Sequence, residues 1–302
     1  MSLPLRNRAV RAHSGPRSIR CQHDGMEPGI SAGQPRQVRA GTLLVGLLVF
    51  VVAGCSSPAA PTDLAEAVDT GNGDAVRQLL AEGQDPDLPL TLGLTPLMRA
   101  ANRGHAEIAR ILIDASANID ADSNGLTAVH LAAGADAVET LTILLDAGAD
   151  PRVRSASGMN ALDYAADAGA TETPGILMEA AGMDADQPSE VVTQGHGYPR
   201  DRGPTPLGLA VIADRVDSTR ALLELGADVD ALSSSGHTPL LLAVFLDASP
   251  DIVEMLLNAG ASADAAAACD TGCSTGEGRP LTVGEWAEEL NRTDLLTLLE
   301  SR

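Results

Sequence analysis

A segment of about thirty-three residues recurs along this chain: Thr-Pro-Leu, an Ala-rich stretch, a Leu-Leu pair, then Gly-Ala-Asp. Such a period announces a stack of similar small units rather than one compact core. The clearest copies start at Thr95-Pro96-Leu97, Thr205-Pro206-Leu207 and Thr238-Pro239-Leu240, with weaker ones at Thr127-Ala128-Val129, Asn160-Ala161-Leu162 and Arg279-Pro280-Leu281. The positions equivalent to Leu97 are then Val129, Leu162, Leu207, Leu240 and Leu281, at spacings of 32, 33, 45, 33 and 41 residues. The two long intervals mark insertions, at about residues 185–202 and 265–278.

Each copy predicts a pair of helices. Thr before Pro is a helix start: the Thr oxygen accepts from a free first-turn amide, and Pro at the first helical position gives up no donor the helix needs. The first helix is rich in small residues, such as Ala100-Ala101, Ala132-Ala133 and Ala165-Ala166, which let neighbours approach closely. The second carries the apolar load at steps of three and four: Ile108, Ile111 and Leu112; Val138, Leu141 and Leu144; Ile252, Met255 and Leu256. Gly83, Gly148, Gly182, Gly226 and Gly260 sit where a left-handed residue ends the second helix, and Ser116 takes that place in one copy. The Asp, Asn and Gly residues that follow form turns, suggesting a hairpin-like finger into the next unit.

These residues resemble ankyrin repeats. The Gly104-His105 pair, His130 at the fourth place of its motif, and Gly-Ala-Asp at 148–150 and 226–228 match the family pattern. The expected fold is an all-α repeat solenoid over residues 63–302. Seven units are expected: one beginning near Leu64, five near Leu94, Leu126, Met159, Pro204 and His237, and a degenerate last unit over Arg279 to Arg302. The resemblance implies protein recognition through finger tips and the exposed side of the first helices. Carried onto this chain, that face holds Leu94, Asn102, Leu126, Ala135, Met159, Asp167, Ile212 and His237, with Arg99, Arg103, Tyr164 and Phe245 the favoured anchors, since Arg and aromatic side chains dominate interface energetics. His105 and His130 are expected to bond locally and brace neighbouring units. Trp286 is expected to pack in the last unit as a cap.

The first fifty-odd residues are different in kind. Residues 1–40 are polar and Arg-bearing without periodicity; Thr42 to Val52 is apolar, preceded by Arg36 and Arg39 and followed by Ala53-Gly54-Cys55. A basic segment, a short apolar core and small residues before a cut describe a signal peptide, and the apolar run is shorter than the ~20 residues a membrane span needs. Val52-Ala53-Gly54-Cys55 resembles the lipobox of bacterial lipoproteins, which implies a lipid on Cys55 and cleavage before it. Residues 26–54 are then the signal, residues 1–25 an extension that a start at Met26 would remove, and residues 55–62 a tether. Such a protein would be held to the membrane by acyl chains and face the periplasm or cell exterior.

The full chain has a net charge of −21, and all its basic residues are Arg. Removing residues 1–54 takes away seven Arg and two acids, leaving −26. That balance argues against nucleic acid and against attraction to anionic head groups. Cys269 and Cys273 lie in the second insertion and form either a disulfide, the default outside the cytoplasm, or two free thiols; a metal site would need two further ligands. Asp120, Asp122, Asn124 and Gly125 resemble the opening of a calcium loop, but Leu131 stands where a carboxylate ligand is required. His196, in the first insertion, has no nucleophile motif beside it, and no Gly-rich phosphate cradle occurs. The sequence therefore predicts a monomeric, non-enzymatic interaction module without cofactor or small-molecule substrate, lipid-anchored in the cell envelope. The narrower alternative is an inhibitor or immunity-type protein that blocks one secreted toxin or enzyme.

Overall fold

A computed structural model describes residues 63–190, 203–264 and 282–300. These belong to one compact unit beginning at Ser56. The first helices of the successive pairs are α1 (Leu64–Asp69), α3 (Pro96–Arg103), α5 (Ala128–Gly134), α7 (Ala161–Ala168), α9 (Pro206–Ile212), α11 (Pro239–Phe245) and α13 (Val283–Glu289). Their partners are α2 (Gly73–Ala81), α4 (Ala106–Asp114), α6 (Val138–Asp146), α8 (Thr173–Glu179), α10 (Val216–Glu224), α12 (Pro250–Asn258) and α14 (Thr293–Glu300). Each first helix packs on the first helix of the next unit, and each second helix on the next second helix. This is the layered solenoid that the period predicts. Among the described residues, no helix is long and apolar enough to cross a membrane.

The helix starts follow the capping argument. Thr95, Thr205 and Thr238 each accept from the amide three residues on, at 3.2, 3.2 and 3.3 Å, with Pro at the first helical position. Asn160 does the same work for α7, and the Asp163 carboxylate bonds back to the Asn160 N–H at 2.9 Å. The last unit corrects the sequence register. Its cap is Thr282, whose side chain accepts from Glu285 N–H while the Glu285 carboxylate accepts from Thr282 N–H. The helix therefore starts three residues later than Arg279-Pro280-Leu281 suggests, and Gly284, not Leu281, takes the Leu97 place. A capping box outweighed the likeness of Arg-Pro-Leu to Thr-Pro-Leu.

The core is one row repeated. Leu97, Val129, Leu162, Leu207 and Leu240 are all buried, flanked by the small residues of the first helices and by Ile108, Leu112, Leu141, Leu144, Leu222, Ile252 and Leu256 of the second helices. Gly83, Gly148, Gly182, Gly226 and Gly260 all have positive φ, and Ser116 adopts the same left-handed backbone at φ 65°. The fingers are hairpin-like: Ser123 and Leu126 form an isolated bridge, and Ser155 N–H reaches Met159 O and Ser233 N–H reaches His237 O, each at 2.9 Å.

Polar rivets join the layers where the two helices of a pair meet. Asp136, Asp214 and Asp247 occupy left-handed turns at φ 53°, 55° and 59°. Their carboxylates reach into the next unit. Asp136 accepts from the N–H groups of Thr171, Glu172 and Thr173 and from the Thr171 and Thr173 hydroxyls. Asp214 accepts from Ser249 N–H at 2.9 Å, and Asp247 pairs with Arg292. On the finger edge, Asp87, Asp186 and Asp230 accept from the amides of Asn118, Asp228 and Ser262 of the following units. Burial pushes the Asp136 carboxyl up, but the converging amides outweigh it and leave it below the usual carboxylate range. A lowered folded value means stability that is present above the ordinary carboxylate range and lost as pH falls through it. Asp136→Ala is expected to cost roughly 2–3 kcal/mol in urea unfolding at neutral pH, with the difference from the parent shrinking below about pH 4. A pH-independent difference would contradict the rivet.

Candidate partner-binding surface

Counting from each helix cap, two rows of positions run along one flank of the first helices. The row four residues after the cap holds Arg99, Leu131, Tyr164, Leu209, Leu242 and Trp286. The row seven residues after holds Asn102, Gly134, Asp167, Ile212 and Phe245. Helical spacing puts both rows on one side, three residues apart.

Most of the favoured anchors lie in the nearer row or beside it, and the structure uses them between units. Arg99 makes a two-pronged contact with Asp69 of the preceding unit, Nε–Oδ1 and Nη2–Oδ2 each at 2.5 Å, and Arg103 Nε reaches the same Oδ1 at 2.9 Å. The Arg99 side chain is 19% exposed. The hydrogen bond from Arg99, with the charge of both guanidiniums, holds the Asp69 carboxyl below its usual range against the effect of its partial burial. The charge of Arg99 is thus met inside the array. Tyr164 is half-buried, its ring edge-on to His130 with centroids 6.1 Å apart. It fills the space Gly134 leaves: a Cβ on Gly134 would come within 2.9 Å of Tyr164 Cδ1.

The farther row is where side chains stand out. Asn102 and Asp167 are exposed, Ile212 is 38% exposed and Phe245 37%. The Phe245 ring meets the Trp286 ring edge-on at 5.1 Å, so the aromatic cap of the last unit is continuous with this row. Ala135 is exposed, and Leu94, Leu126 and His237 are half-buried. Met159 corrects the sequence expectation of a surface position: it is 8% exposed, because its carbonyl and amide close the foot of a finger over the next helix start. Cys55, Cys269, Cys273 and His196 lie outside the described residues.

Two ionisable groups lie beneath the surface. His130 Nε2–H donates to Val153 O and Met159 O, at 3.0 and 3.2 Å, and Nδ1 accepts from Thr127 N–H. This assignment of the ring proton follows from the carbonyls on Nε2. Burial lowers the His130 pKa and keeps the ring neutral, so it braces the next finger as expected. His105 braces differently: its ring packs against Gly71 of the preceding unit, where a Cβ would lie 3.3 Å from Cε1, and Nε2 has no hydrogen-bond partner among the described residues. Asp163 takes the place in α7 that His130 has in α5. It is fully buried, Oδ1 has no partner among the described residues, and Arg154 Nη1 stands 3.6 Å from Oδ2. The calcium-loop likeness has a local explanation, since Asp122 Oδ2 accepts from Gly125 N–H and closes the turn.

The model for ankyrin repeats matches residues 64–155 and 177–267, in three copies. The chain belongs to the ankyrin repeat family. Among curated relatives it is 34% identical over 93 residues to the ankyrin repeat, SAM and basic leucine zipper domain-containing protein 1 of Notamacropus eugenii, a match covering 29% of this chain and 20% of that protein. It is 40% identical over 92 residues to the SH3 and multiple ankyrin repeat domains protein 1 of Homo sapiens, covering 30% of this chain and 4% of that one. The matches thus span a fifth or less of these relatives' length. Among solved structures, the human ASB11 ankyrin repeat domain aligns with a TM-score of 0.57 at 25% identity, covering 75% of this chain and 91% of that one. The ankyrin repeat domain of Bcl-3 aligns with a TM-score of 0.55 at 29% identity, covering 75% and 93%. Ankyrin repeats mediate protein–protein interaction.

Asp163 makes the array pH-sensitive in a direction opposite to Asp136. Burial raises its pKa, offset only partly by the Asn160 amide and Arg154, to about 7. The folded state then holds a proton that the unfolded chain releases near pH 4, so this carboxyl lowers stability as pH rises from about 4 to 7. Asp163→Asn, which cannot ionise, is expected to gain in melting temperature relative to the parent between pH 5 and pH 8. A constant offset between the two proteins across that range would show that Asp163 is already charged at pH 5.

Proposed function

We propose that this protein is a lipid-anchored, non-enzymatic interaction module of the cell envelope. The observation that carries the binding role is the contrast between rows. The buried row repeats Leu or Val at five successive units, whereas the row seven residues after the cap, exposed at Asn102, Asp167, Ile212 and Phe245, changes at every unit and has Gly134 as its remaining member. A row that only held the stack together would be as uniform as the buried one. Variation by side-chain size, charge and aromaticity gives a partner something to distinguish. Ile212 and Phe245, with Trp286 behind, offer the apolar anchor that hot spots are built on.

The acyl anchor rests on Arg36, Arg39, the apolar run to Val52 and the Val52-Ala53-Gly54-Cys55 ending. It places the array outside the cytoplasm, tethered through residues 55–62. The partner is a protein with basic surface: the chain beyond residue 54 carries −26, and Asp85, Asp122, Asp150, Asp184, Asp228 and Asp264 are exposed along the finger edge of successive units. Complementary charge of this kind speeds encounter and selects partners. The same acidic edge supports the narrower reading, a specific blocker of one basic secreted enzyme or toxin.

Photo-crosslinking from Ile212 in intact cells, with mass spectrometry of the adducts, tests the surface. One dominant basic envelope or secreted protein is expected, and Ile212→Arg is expected to lower its capture at least tenfold while leaving the melting temperature within a degree or two, since the side chain is exposed. Equal capture by Ile212→Arg would move the binding surface elsewhere. Labelling with a fatty-acid probe, abolished in Cys55→Ser, tests the anchor independently.

A further inference from the structure

The first finger, residues 84–95, departs from the others in chemistry. From Leu88 to Met98 no charged residue occurs. Its two outermost leucines stand in solvent, Leu88 53% and Leu92 85% exposed. Leu92 also has φ 68°, in the place where the next finger has Asn124 at φ 55°; each precedes a glycine, Gly93 or Gly125, and then a leucine and a threonine. Asparagine tolerates left-handed backbone, whereas leucine there is strained. A large apolar side chain held in water on strained backbone adds nothing to the stack, and such outliers point to a function outside it.

The chain enters the array on the same edge. Asp63 caps α1, Thr95 caps α3, and the two helices pack side by side as successive first helices. Both begin on the finger edge, where Leu90 N–H donates to Leu94 O across the foot of the first finger at 2.7 Å. Cys55 precedes Asp63 by eight residues, and a chain of that length reaches at most about 29 Å when fully extended. An acyl group on Cys55 would therefore hold this edge of the first unit close to a bilayer surface, with the leucine tip beside the point of entry.

We propose that the first finger is a membrane foot: Leu88 and Leu92 dip into the boundary between head groups and acyl chains of the bilayer that anchors Cys55. This rests on the anchoring reading above and adds to it which end of the array meets the membrane. The foot gives the protein a second contact with the bilayer and fixes which edge of the first unit faces it. The two carboxylates of this finger are turned to backbone amides: Asp85 Oδ1 accepts from Asp87 N–H at 2.9 Å and Asp87 Oδ1 from Asn118 N–H at 2.8 Å. With the remaining chain strongly acidic, zwitterionic lipid suits the foot better than anionic lipid.

Full-length protein purified from its membrane, carrying Leu92→Trp or, separately, Leu88→Trp, is reconstituted into vesicles of phosphatidylcholine and phosphatidylethanolamine, with Leu232→Trp in a later finger as the matched control. Acylation of Cys55 is first read by mass spectrometry. On the acylated protein, the tip tryptophan is expected to emit further to the blue than in detergent-free buffer and to lose intensity when the lipids carry brominated acyl chains; Leu232→Trp is expected to do neither, and the unsubstituted protein supplies the Trp286 baseline. A Cys55-acylated protein whose tip tryptophans stay water-exposed overturns the foot and leaves the anchor standing. So does a tip that moves to the blue only when a second copy or another protein is bound. A chain without a lipid on Cys55 overturns the anchor and the foot together.

Discussion

Contact between adjacent layers is the constraint on which everything else in this structure depends. Each described unit is a pair of helices of six to nine residues, lengths at which an isolated helix is marginal in water. No unit can bury Leu97 or its equivalents by itself, because the apolar face of a pair is closed only by the next pair. The small residues of the first helices follow from the same fact. Ala100, Ala101, Ala132, Ala133, Ala165 and Ala166 are fully buried, and larger side chains there would push successive layers apart.

The acidic composition has a structural use as well as a surface one. At the turn between the helices of a pair, a left-handed residue is needed, and glycine is the cheapest choice. Asp136, Asp214 and Asp247 accept the conformational cost and return it through carboxylates that cap the next unit. Asp87, Asp186 and Asp230 do likewise on the finger edge. These six acids thus tie successive layers together at the helix turns and on the finger edge. Asp69, at the matching turn of the first unit, does the same by accepting from Arg99 and Arg103 of the next unit.

Packing and exposure are separated by position on the first helix. Four residues after the cap, side chains lean toward the neighbouring unit and are consumed by it, as with Arg99 on Asp69 and Tyr164 over Gly134. Seven residues after the cap, they project away, as with Ile212 and Phe245. The outward row can thus vary, unit by unit, without disturbing the contacts that hold the array together. A strained and solvated leucine such as Leu92 stands out against this division, since it belongs to neither row.

The repeat, the helix starts and the left-handed glycines were legible in the linear chain, because capping and turn chemistry are local: Thr95-Pro96, Thr238-Pro239, Gly148 and even the non-glycine Ser116 could be placed from their neighbours in sequence. The last unit was misplaced for a related reason, as Arg279-Pro280-Leu281 copies the letters of the motif while Thr282 and Glu285 supply its hydrogen bonds. The fate of the anchor candidates was not legible. Arg99 and Arg103 look like free interface arginines until Asp69, some thirty residues away, closes on them; Met159 looks exposed until a finger folds over it; and Asp163 looks like one more acid until its helix carries it into the interior. Local sequence determined what each unit would be. The distance between one unit's side chain and the next unit's acid or cavity is set only when the layers stack, and that decided which residues were left facing outward.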